Sequence, residues 1–239
     1  MDFLFIKNKF SPPVLFLLLC LIFVSCNIDV NLRENENLTF NATIKTSASS
    51  ELETSLRSIL NMVHADSIFD EQAINDKLTQ WGTRDIQVES PSLCTLNASF
   101  NTETLGDLLP KKNSLITQNN KTTIIKLDEF TVNHCLEMLP QESLTVIELL
   151  SAPIFTQENL GEEEYLQNIS VLYGSNMAAF LANANINLSF ESRSPIIEAS
   201  SDLDGFAALT TSEKKVVFTI PLVKLLCLRK TLSLYITQK

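Results

Sequence analysis

Glycine is scarce in this sequence: five residues in 239, at positions 82, 106, 161, 174 and 205. None of them falls in GxGxxG, GxxxxGK[ST] or GxSxG. Phosphate cradles and nucleophile elbows need glycine where backbone approaches a ligand closely or takes positive φ, so nucleotide-binding and α/β-hydrolase readings lose their main support. Histidine is scarcer still. His64 and His134 are the two in the chain, and neither sits in HExxH or beside a second ligand at metal spacing. His134 adjoins Cys135 in a stretch with helical spacing, where neighbours point about 100° apart and cannot easily share a metal. No long apolar run is present: Val14 to Val24 covers 11 residues, against the roughly 20 that cross a hydrocarbon core. Basic clusters are missing too. With 18 Lys and Arg against 28 Asp and Glu, the formal charge is −10, which opposes nucleic acid and anionic surfaces. A nucleic-acid partner is therefore excluded.

What is present begins at the N-terminus. Lys7 and Lys9 precede the apolar run Val14 to Val24, which is the order of a basic n-region and an h-region in a secretory signal. The run ends in Phe23-Val24-Ser25-Cys26. This tetrapeptide resembles the lipobox of bacterial lipoproteins, in which a small residue precedes a cysteine whose thiol accepts a diacylglyceryl group; Phe23 stands where leucine is preferred. The resemblance implies a signal peptide over residues 1–25, cleavage before Cys26, and lipid attachment at Cys26, with membrane lipid as the partner that the acylated cysteine engages. It implies a location in the bacterial cell envelope, lipid-anchored and exposed to the periplasm or the exterior. Each buried methylene adds about 0.8 kcal/mol, so two or three acyl chains hold where one is marginal. The alternative is an ordinary secretory signal cut near Ser25. Six Asn-x-Ser/Thr sequons, at Asn37, Asn41, Asn97, Asn120, Asn168 and Asn187, are the main argument against a bacterial source. Asn41, Asn97 and Asn187 fall in expected strands, where such triplets arise by chance in an asparagine-rich chain.

Cleavage before Cys26 leaves 214 residues with 16 basic and 27 acidic side chains, a formal charge of −11. That length supports one substantial domain or two small ones. Three cysteines then remain besides Cys26, namely Cys94, Cys135 and Cys227, with no CxxC spacing. Cys94 and Cys135 share the spacing of apolar neighbours and read as small core residues. An exported compartment permits a Cys94–Cys135 bridge, but nothing in the spacing demands it.

Alternation of Ile28, Val30 and Leu32, then of Leu38, Phe40, Ala42 and Ile44, predicts two strands joined through the polar turn 33–37. A helix is expected over Leu52, Leu56, Ile59, Leu60 and Val63, and a second through Ala73, Ile74, Lys77, Leu78 and Trp81, stopped near Gly82. Trp81 reads as a core-capping aromatic or, less simply, a stacking platform. Ile86 with Val88 and Cys94 to Phe100 are strand candidates, separated by Pro91. This makes residues 26–101 a ββααββ unit. The polar stretch 102–120 is expected to be a loop or linker, and 121–239 a second α+β unit, either separate from the first or continuous with it. In that second part a strand is expected over Thr122 to Leu127, helices over Phe130 to Leu139 and Glu142 to Leu150, and one helix from Glu162 to Phe180 with Gly174 weakening its middle. Strands follow through Ile186 to Phe190, from Pro195, through Val216 to Ile220 and at Leu232 to Ile236, with a short helix after Pro221.

The fold expected is α+β, mostly antiparallel sheet packed by several helices. The hairpin and helix directly after the lipobox loosely resemble small α+β lipoproteins such as LppM-type domains over about the first hundred mature residues; the likeness is one of layout and carries over no functional residue. Glu162-Glu163-Glu164 reads as negative charge at a helix start, and Asp202, Asp204 and Gly205 as a turn without the closing glutamate of a calcium loop. No catalytic, cofactor or metal residue is assigned. Two function classes remain: a non-enzymatic exported lipoprotein that binds a protein or apolar ligand or serves as scaffold or surface antigen, and a membrane-tethered hydrolase whose site assembles from distant residues.

Overall fold

A computed structural model describes residues 27–35, 39–47, 49–50, 53–54, 57–58, 69–80, 82–92, 95–102, 116–119, 121–128, 160–204 and 206–239. Eleven strands and four helices lie among them. The N-terminal pair is the expected hairpin: β1 (Asn27–Glu34) and β2 (Phe40–Ser47) run antiparallel with Val30 opposite Ile44. Helix α1 (Glu71–Gln80) ends at Gly82, whose φ of 75° only glycine adopts without strain. It packs on β3 (Arg84–Ser92), where the Ser90 amide donates to Glu71 Oε1 at 2.5 Å. Pro91 lies within β3, and its pairing with β4 (Thr95–Thr102) is interrupted between Glu89 and Ser92. That is the place proline takes in a sheet, on an outermost strand where a missing donor breaks little.

Strand β5 (Ile116–Asn119) forms a hairpin with β6 (Thr122–Leu127). These four residues fall inside the stretch 102–120 expected as loop, because Thr117, Gln118 and Asn119 give the strand a polar appearance that suits a sheet edge. The single helix expected over 162–180 is two. α2 (Glu162–Tyr173) and α3 (Ser175–Asn183) meet at Gly174, with φ 91° and ψ 159°, an extended positive-φ geometry that breaks the helical ladder. After them come β7 (Asn185–Glu191), β8 (Ile196–Ser201), β9 (Ala207–Ser212) and β10 (Lys215–Pro221). The short α4 (Leu222–Leu226) and β11 (Leu232–Gln238) complete the chain. The helices expected over 130–139 and 142–150 lie outside the described residues.

The strands make two sheets. One has seven strands in the order β3-β4-β2-β1-β7-β10-β9, the other four in the order β5-β6-β11-β8. Every pairing is antiparallel except β1 with β7, which run parallel with Val30 opposite Leu188. The large sheet thus takes strands from both sides of 102–120. The fold is α+β, dominated by strands; the expectation of packing by several helices overstated their share, since the four described helices are short and α4 spans a single turn.

Period-two alternation puts Ile28, Val30 and Leu32 of β1, Ile186, Leu188 and Phe190 of β7, and Val216, Phe218 and Ile220 of β10 on one face, all buried. The registers align them in rows, for example Ala98, Ile44, Val30, Leu188 and Phe218 across five strands. This face shares one core with Ile125, Leu127, Leu232, Leu234 and Ile236 of the small sheet and with α4, whose Leu222, Val223, Leu225 and Leu226 are all buried. Fully burying side chains of this size is worth roughly 1.5–3 kcal/mol each.

Candidate binding groove on the polar face of the sheet

Because the apolar residues of β1, β2, β7 and β10 turn toward the core, the alternate positions form a second, polar face. The same registers order it into rows. Lys45, Asp29, Asn187 and Thr219 lie opposite one another; beside them run Thr43, Asn31, Ser189 and Val217, and then Asn41, Arg33, Glu191 and Lys215. A hollow of about 570 Å³ lies over this part of the face, lined by the first two rows apart from Thr219, together with Val30 and Lys215.

The rows differ in how their polar atoms are satisfied. In the first, Asn187 Nδ2 donates to Asp29 Oδ1 at 3.0 Å while Asn187 Oδ1 accepts from Thr219 Oγ1 at 3.3 Å. In the third, Asn41 Nδ2 donates to Asn101 Oδ1 at 3.1 Å, Asn101 Nδ2 donates to Asp85 Oδ2 at 2.7 Å, and Arg33 pairs with Glu191 at 3.6 Å. Cross-strand pairs of this kind are the ordinary currency of a solvated sheet face. The middle row breaks the pattern. Asn31 Oδ1 and Ser189 Oγ are buried, face each other across the β1–β7 pair, and have no hydrogen-bond partner. Ser189 is only 8% exposed. Leaving a buried polar atom unmatched costs about 1–3 kcal/mol, and water or a ligand entering the hollow can supply the bonds that the chain does not. Thr46 Oγ1, Thr123 Oγ1 and Gln238 Nε2 are unmatched as well, but no two of them are register partners: Thr46 lies opposite Ile28 and Leu96, Thr123 opposite Gln118 and Ile236, and Gln238 opposite Ile196.

A second hollow, of about 480 Å³, opens where α2 begins, between Gly161, Glu162, Phe206, Lys224, Cys227 and Arg229. Burial pushes the Cys227 thiol up to about 11, with Glu162 adding to the rise and Arg229 opposing it. Tyr165 is raised as well, chiefly by burial and then by Cys227. A thiol held in its neutral form is a weaker nucleophile than a thiolate. Lys224 lies 5.9 Å from the Phe206 ring centre, where it contributes to packing.

The sequence-derived candidates distribute as follows. Cys26, Cys94, Cys135, His64, His134, Trp81 and Gly205 lie outside the described residues. Glu162, Glu163 and Glu164 occupy the exposed first turn of α2. Asp202 ties the two ends of a strand pair together: its Oδ1 accepts from the Ser233 amide at 2.7 Å and its own amide donates to Ser233 O at 3.1 Å. Asn41, Asn97 and Asn187 are strand residues paired opposite Asn101, Lys45 and Asp29. Asn168 is exposed on α2. Among the described residues no three His, Cys, Asp or Glu side chains are grouped to hold a metal. No described helix is long and apolar enough to cross a membrane. Asn31 and Ser189 were not singled out by sequence reasoning, since each resembles any other solvent-side strand residue until register brings them together.

No family model matches the chain, and no curated protein matches it. Among solved structures, the NMR structure of the Mycobacterium tuberculosis LppM folded domain aligns over 89% of this chain and 90% of its own, at 7% identity and a TM-score of 0.39. At that score the likeness carries no argument about fold or function.

Proposed function

We propose that this chain is an exported, non-enzymatic binding domain, tethered to a membrane through acylated Cys26, which takes a polar, hydroxyl- or amide-bearing ligand in the groove over β1 and β7. One observation carries the binding reading: the adjacent, buried and unmatched Asn31 Oδ1 and Ser189 Oγ. The asparagine oxygen needs a donor, and the serine hydroxyl can either give or accept one. The lining shifts the expected ligand from apolar to polar, because Asp29, Thr43, Lys45 and Asn187 surround the pair while Val217 is the one apolar side chain on that face of the hollow. Ligand sites commonly combine a preformed concavity with a few convergent polar groups. The tether rests on the basic n-region, the 11-residue apolar run and the Phe23-Val24-Ser25-Cys26 lipobox. Residues 26–239 are taken as one folding unit, a reading supported by the parallel pairing of β1 with β7. The hydrolase alternative gains no support from the described side chains.

The binding reading is tested by amide NMR on the mature chain, titrated with a panel of neutral saccharides, polyols and short amides. Shifts should gather on β1 and β7 around Asn31 and Ser189, and Asn31→Leu should remove them. Shifts gathered instead around Cys227 and Phe206, or unchanged in Asn31→Leu, would overturn it.

A further inference from the structure

We infer that the groove is the middle of a longer track across the seven-stranded sheet, and that its ligand is a linear, uncharged glycan laid across the strands. This rests on the reading of the groove as a binding site and extends it to a ligand class. The row through Asn31 and Ser189 does not stop at the hollow. On one side Ser189 stands opposite Val217 of β10; on the other, Asn31 stands opposite Thr43, Thr43 opposite Ser99 of β4, and Ser99 opposite Gln87 of β3. Six strands thus contribute one side chain each, none of them ionisable and all but Val217 an amide or a hydroxyl. Both neighbouring rows carry charge of both signs. Glu89, Lys45 and Asp29 lie on one side; Arg84, Arg33, Glu191 and Lys215 lie on the other, with Asp85 bonded to Asn101 beside them. The neutral row differs in its bonding too. Among the described residues no side-chain hydrogen bond joins one of its members to the next, and Thr43 Oγ1 reaches only Asn41 Oδ1, at 3.5 Å.

An anionic polymer on this row would set its charges against Asp29, Glu89 and Glu191, a cationic one against Lys45, Arg33 and Lys215, and an apolar chain would meet Val217 alone. An extended peptide fits poorly as well. It seeks the free N–H and C=O groups of a sheet edge, not a face, and its rise of about 3.3 Å per residue is out of step with strands about 4.8 Å apart. A pyranose unit is close to that strand spacing in length. Each unit brings hydroxyls that both donate and accept, which is what the amides and hydroxyls of the row can use. From Gln87 to Val217 the row crosses six strands, about 24 Å and so about five units. The hollow covers the four strands from β2 to β10, about 14 Å or three units. Sheet twist turns successive strands by roughly 20–25°, which the rotatable glycosidic bonds of a linear chain can follow.

The test titrates the mature chain with cellulose- and chitin-derived oligomers, from the monomer to the hexamer, and follows amide NMR shifts. Affinity should climb with length, the hexamer binding several-fold more tightly than the trimer, and the shifts should spread from Asn31 and Ser189 to Ser99 and Gln87 as the oligomer lengthens. Gln87 is exposed and lies outside the hollow. Gln87→Ala should therefore return hexamer affinity toward that of the trimer and leave the trimer unchanged. Trimer and hexamer of equal affinity, with shifts confined to Asn31 and Ser189 and lost in Asn31→Leu, would overturn the track and leave the groove reading in place. Shifts at Asn31 and Ser189 from small polyols or amides but from no oligomer would overturn the glycan class alone. No response at either residue to any of these probes would overturn the groove reading, and the track with it.

Discussion

The two faces of the seven-stranded sheet are built from the same strands and the same alternation, yet they handle burial in opposite ways. The inner face buries Ile28, Val30, Leu32, Ile186, Leu188 and Phe190 against the small sheet and helices, and its cohesion needs no partner beyond shape. The outer face must account for each polar atom, and it does so by cross-strand pairing in the rows of Asp29 and Arg33. Between those rows it leaves Asn31 Oδ1 and Ser189 Oγ unmatched. The contrast teaches where to look for function: Thr46 on the inner face is unmatched singly among apolar neighbours, whereas the polar face sets two unmatched atoms in one row that lines a hollow.

The comparison can be strained first where the effect is largest. Phe190 is fully buried, stands opposite Leu32 and Val216, and has its ring centre 6.4 Å from that of Phe40. Phe190→Ala should cost about 3–5 kcal/mol through lost burial and the cavity left behind, measured as a fall in the urea midpoint; a loss below ~1 kcal/mol would show that the inner face is not the cohesive one. One residue further along β7, Glu191 points to the opposite face and pairs with Arg33, at side-chain exposures of 38% and 62%. Glu191→Gln should change stability by less than about 1 kcal/mol, since exposed ion pairs are screened and entropically costly. A penalty comparable to that of Phe190→Ala would erase the distinction between the faces.

How much of this was legible in the sequence follows the same division. The inner face was readable, because alternation of Ile28, Val30 and Leu32 or of Ile186, Leu188 and Phe190 is a local signal that needs no knowledge of partners. The parallel partnership of β1 with β7 was not: period two identifies a face, while the choice between strands far apart in sequence is made by packing. Gly174 was visible as a weak point in a helix but not as its end, since backbone geometry and not composition decides between a tolerated glycine and a break. β9 was missed because Ala207-Ala208-Leu209-Thr210-Thr211-Ser212 offers no strong apolar alternation and takes its place by pairing with β10. The groove was the least legible part. Asn31 and Ser189 are separated by most of the chain, and the latter appeared only as the third position of a sequon at Asn187.

The central claim, that Asn31 and Ser189 are held open for a ligand and not for the fold, is tested most directly by the stability of Ser189→Ala without ligand. Alanine removes a buried hydroxyl that has no partner, so urea denaturation of the free mature protein should find the variant at least as stable as the parent, with a gain of up to about 1–3 kcal/mol. A loss of about 1 kcal/mol or more would mean that the hydroxyl already serves the folded chain, and would contradict the claim.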